Sequence, residues 1–69
     1  MNRPPSDRER QVWMLLARGL SNRAIAARLG TELKTVDKQI SALYLKLRID
    51  AKDREVNARV QAAHEWNRI

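Results

Sequence analysis

Val36, Ile40, Leu43 and Leu47 recur at i, i+4, i+7 and i+11, the clearest periodicity in the chain. Residues at that spacing share one side of a helix. A helix over residues 33–48 with a single buried face is therefore predicted, with Tyr44 beside the stripe. Lys34, Lys38, Ser41 and Leu45 fall on the opposite face. Apolar residues never alternate for long at period two, so no strand is expected. The fold class is all-α.

The other elements follow from punctuation. Pro4-Pro5 blocks helix formation just before Ser6, and residues 1–5 read as a flexible leader. Ser6 and Glu9 match a capping box, in which the serine oxygen and the glutamate carboxylate each accept a hydrogen bond from the other's backbone N–H. A first helix over 7–18 is expected. Val12 and Leu16 stand at the centre of its buried stripe, Trp13 and Leu15 on the flanks, and Met14 points outward. Gly19 stops it. Ser21 caps a short helix over 22–29 that buries Ile25, Ala26 and Leu29; Gly30 ends it and, with Thr31, makes the turn into the periodic helix.

Asp50 and Asp53 offer caps for a fourth helix over 53–67, with Val56, Val60 and Ala63 facing inward and Ile49 closing the core. A second line, Ala58, Ala62, Trp66 and Ile69, lies on another side. A helix with two apolar lines in so small a domain implies two partners. The second line is therefore expected to form a homodimer interface, with Trp66 as its anchor. Residues 6–69 read as a single domain ending in this dimerisation helix.

Composition narrows the function. A net charge of +6 on 69 residues surrounds the molecule with a positive field suited to a polyanion. No cysteine is present and His64 is the lone histidine, so no metal cluster and no cofactor are expected. No uncharged run approaches the roughly 20 residues of a membrane span, and no signal-peptide pattern opens the chain. These features predict a cytoplasmic protein without membrane contact. An enzyme is not expected: the serines lack a partner base, the carboxylates are dispersed, and both glycines are helix stops.

A short helix, a tight turn and a longer helix make a helix-turn-helix pattern. The segment Arg8-Glu9 … Val12, Gly19-Leu20-Ser21-Asn22, Ile25-Ala26 … Leu29, Thr35-Val36 and Lys46-Leu47 … Ile49 is more specific. From Ser6 to about Val56 it resembles the DNA-binding domain of the LuxR/GerE transcription regulators. The resemblance implies a four-helix domain; the sensor module that usually accompanies it has no room in 69 residues, so a stand-alone domain is expected. It implies that Ser21, Asn22, Arg23 and Thr35 meet the phosphate backbone of double-stranded DNA. Lys34, Asp37, Lys38 and Ser41 would then face the major groove, and the fourth helix would dimerise.

Several positions depart from the family pattern. Asp37 replaces a typical lysine, Gln39 a common histidine, and Glu32 the usual capping serine, while Leu45 occupies an outward position that is normally polar. A carboxylate near phosphates is repelled, and phosphate neutralisation supplies most non-specific affinity. An aspartate can also accept a hydrogen bond from cytosine N4. Two readings stay open. One is a DNA-binding transcriptional regulator. The other is a protein-interaction module, an anti-activator that mimics the domain and binds a LuxR-type regulator.

Overall fold

The computed structural model describes residues 4–49 and 55–68, with the backbone alone at 55 and 56. Over these residues the chain forms α1 (Asp7–Ala17), α2 (Asn22–Leu29), α3 (Leu33–Leu47) and α4 (Glu55–Asn67), with no strand among them. Each expected helix is present. The ends of α1 and α3 fall one residue short of the sequence reading, within the ordinary fraying of helix ends. The expected caps at Asp50 and Asp53 lie outside the described residues.

Local chemistry sets the boundaries. At the start of α1 the Glu9 N–H donates to Ser6 Oγ at 3.2 Å, and the Ser6 N–H donates to Glu9 Oε1 at 2.8 Å, completing the capping box. The chain leaves α1 through Gly19 at φ 91°. There the Gly19 and Leu20 amides donate to the Leu16 and Leu15 carbonyls, satisfying helix-end acceptors. Gly30, at φ 65°, plays the same part for α2, with Gly30 and Thr31 donating to Ala27 and Ala26. After α3 the left-handed position is held by Arg48 at φ 60°, an uncommon conformation for a residue with a Cβ. The Ile49 amide still reaches the Tyr44 carbonyl at 2.8 Å, so α3 is closed by the same geometry without glycine.

The core is apolar throughout: no polar or charged residue is buried among the described residues. Val12, Ile25, Val36 and Leu43 are fully buried at its centre, flanked by Trp13, Leu15, Leu16, Ala26, Ile40, Tyr44 and Ile49. Leu29 and Leu47 pack against it while partly exposed. Met14 also rests on this core rather than pointing into solvent, which corrects the outward placement expected for it.

The largest correction concerns α4. Ala58 and Ala62, expected on a dimer face, are fully buried within the monomer, and Trp66 packs against the core. Val60, expected inside, is half exposed, and Ala63 is only partly buried. The cause is Trp13. Its indole N–H donates to the Ala62 carbonyl at 2.7 Å, and its ring meets that of Trp66 edge to face at 5.1 Å. The indole of α1 thus engages Ala62 by its N–H and Trp66 by its ring, and α4 turns the line of Ala58, Ala62 and Trp66 inward. Ala58 and Ala62, expected on the interface, are thus enclosed within the monomer, while Trp66 is only partly buried. Ile69 and the Val56 side chain lie outside the described residues.

Candidate nucleic-acid interface

Burying Val36, Ile40, Leu43 and Tyr44 fixes the rotation of α3 and leaves its other side open. Lys34, Thr35, Asp37, Lys38 and Ser41 are all exposed. They stand on successive turns of a rigid element, which suits side chains that must read a groove. Leu45 continues the row and is 76% exposed. Gln39 sits at the edge of the packed side, where its Oε1 is buried without a hydrogen-bond partner. The Glu32 side chain makes no capping bond to α3, as the replacement of a capping serine implies.

The start of α2 provides a second contact point. Ser21 Oγ accepts from the Ala24 N–H at 3.1 Å, and the Ser21 carbonyl accepts from the Ile25 N–H at 2.9 Å. The amides of Asn22 and Arg23 precede that first intrahelical bond. At such a position free N–H groups and the positive end of the helix dipole favour an anion. The Arg23 side chain is exposed beside them.

Asn22 differs from the expectation. Its side chain is partly buried and bonded to two other helices: Nδ2 donates to Asp37 Oδ1 at 2.8 Å, while Oδ1 accepts from Arg59 Nη1 at 2.5 Å. Arg59, on α4, also donates through Nη2 to the Leu20 carbonyl. Asp37 is thus not an isolated carboxylate on the outer face of α3, since one of its oxygens is tied to α2.

Residues 5–65 match the GerE family model, described as bacterial regulatory proteins of the luxR family. The chain belongs to that family. No curated protein and no solved structure matches it significantly.

Within this LuxR-family domain, two blocks that carried the resemblance meet in space. Glu9, from the Arg-Glu opening, pairs with Lys46, from the Lys-Leu exit, at 2.6 Å across α1 and α3. The Lys46 ammonium, and after it the Ser6 amide, hold the Glu9 carboxyl below its ordinary range. One carboxylate therefore caps α1 and anchors the far end of α3. The pairing was discoverable as two charged residues within one motif, whereas Arg59 carried no comparable signal. It is one of many arginines, and its role depends on how α4 is rotated. No group of three or more potential metal ligands occurs among the described residues, and no helix there is long and apolar enough to cross a membrane.

Proposed function

We propose that this LuxR-family domain is a DNA-binding transcriptional regulator that lays the outer face of α3 in the major groove and sets the start of α2 against the phosphate backbone. One observation carries the reading: Lys34, Thr35, Lys38 and Ser41 are exposed together on a helix whose opposite face is locked in the core. Lys34 and Lys38 supply charge toward the duplex, Thr35 and Ser41 supply hydroxyls, and Arg23 with the amides of α2 fixes the register. The net charge of +6 supports approach to a polyanion.

Two copies on a dyad-related site follow from the family's use of its fourth helix. Since Ala58 and Ala62 are enclosed, self-association through α4 has to use its outward side, where Val60 is half exposed. The competing reading, a module that pairs with a LuxR-type regulator, draws support from Leu45, an exposed leucine on the α3 face.

Mobility-shift titrations of wild type and Lys38→Ala over a range of salt separate the readings. For a groove-bound lysine, Lys38→Ala weakens every duplex alike and lowers the salt slope by about one. An unchanged slope removes Lys38 from the interface. A protein partner whose capture depends on Leu45 and not on Lys38 favours the interaction module.

A further inference from the structure

We propose that Arg59 is a positioning residue for DNA reading, acting through Asn22 to aim the Asp37 carboxylate as a fixed hydrogen-bond acceptor toward the groove. The inference rests on the DNA-binding reading above and adds to it a residue from outside the helix-turn-helix.

The chemistry of the three groups fixes the direction of the chain. A guanidinium can only donate and a carboxylate can only accept. The Asn22 amide lies between them, so its oxygen must face Arg59 and its nitrogen must face Asp37. This is the arrangement seen, at 2.5 Å and 2.8 Å. Arg59 is itself held, because its second nitrogen donates to the Leu20 carbonyl in the turn before α2. The flat fork of arginine spans both acceptors at once, which the point charge of a lysine cannot do. A side chain of α4 thereby sets the orientation of an amide on α2, and that amide sets the orientation of a carboxylate on α3.

The consequence reverses the expected effect of Asp37. A freely rotating carboxylate samples positions near phosphates and repels them. Held through one oxygen toward Asn22, it keeps acceptor capacity on an exposed side chain beside Lys34, Lys38 and Ser41. The ligand matched by such an acceptor in a major groove is the exocyclic amino group of cytosine. Asp37 then contributes selectivity for cytosine, and Arg59 governs that selectivity without touching DNA.

The test has two arms. In the free protein, Arg59→Lys and Asp37→Ala are both expected to move the Asn22 side-chain amide resonances in a ¹H–¹⁵N spectrum. A duplex selected from a random library by the wild type is then compared with unselected duplex. Arg59→Lys keeps the charge, so its affinity for unselected duplex and its salt slope hold, while discrimination falls about fivefold or more. In an Asp37→Ala background the same change causes no further fall. If Arg59→Lys melts the domain, Asn22→Ser interrupts the chain without disturbing the Leu20 carbonyl and is expected to give the same loss.

Asn22 resonances that ignore Arg59→Lys overturn the proposal, as does an equal loss of discrimination in both backgrounds. A folded wild type that binds no duplex, with the Asn22 coupling intact, refutes the DNA-binding reading and removes this role of Arg59 with it. The intact coupling tells that failure apart from failure of the relay.

Discussion

α3 and α4 are close in length, 15 and 13 residues, yet they meet the core by opposite rules. α3 buries Val36, Ile40, Leu43 and Tyr44 and exposes Lys34 and Lys38. α4 encloses two alanines and leaves Val60 half in solvent. The difference lies in what each helix faces. α3 packs on α2 and α1, which bring Ile25, Val12, Leu15 and Leu16 into the core. α4 lies mainly on α1, where Trp13 already fills the space. Hydrophobicity orients a helix when its partner leaves room, and side-chain size orients it when the partner does not. Close packing makes this a strict constraint, because interiors hold few voids and tolerate little overlap.

The comparison breaks most readily at Ile40, which is 2% exposed. Ile40→Ala is expected to lower stability by about 2–5 kcal/mol, whereas Val60→Ala on α4 should stay within about 0.5 kcal/mol. Chemical denaturation of the two variants checks both. A larger loss at Val60 than at Ile40 would mean that α4 is rotated from the position described.

Ala62→Leu probes the rule of size. The added volume beside Trp13 has no room and should cost about 1–3 kcal/mol through overpacking, read as a lower melting midpoint at every protein concentration. An unchanged midpoint together with altered sedimentation would return Ala62 to an intermolecular interface.

Acid sharpens the contrast between a polar tie and an apolar one. Glu9 joins α1 to α3 through Lys46, and its folded-state pKa is lowered. Its contribution is therefore fully present above the unfolded carboxylate value and is lost as pH falls through the folded one. Stability should decline in that acidic window, and Glu9→Gln should reduce the decline. The Trp13–Trp66 contact between α1 and α4 contains no titrating group, so its near-ultraviolet signature should persist where the Glu9 contribution is fading. An identical acid response in Glu9→Gln would assign the decline to other carboxylates.

Much of this was legible in the chain. Ser6, Glu9, Gly19, Ser21 and Gly30 marked helix ends because capping chemistry is local, and the α3 stripe was clear because Val36, Ile40, Leu43 and Leu47 keep a strict helical spacing. The rotation of α4 was not legible, since its two apolar lines compete and the winner is chosen by Trp13, some 49 positions away in sequence. The candidate site divided the same way. The exposure of Lys34, Thr35, Lys38 and Ser41 followed from the buried face of α3. The bonds of Asn22 to Asp37 and Arg59 cross three helices and leave no trace in spacing.

The contrast between the locked inner face of α3 and its open outer face matters only if the outer face meets DNA. Fluorescence anisotropy of the wild type against random-sequence duplex, at low and at moderate salt, measures that directly. The account predicts binding at low salt that weakens steeply as salt rises, with a slope set by the number of phosphates neutralised. A folded protein that leaves the anisotropy of the duplex unchanged at low salt would contradict it.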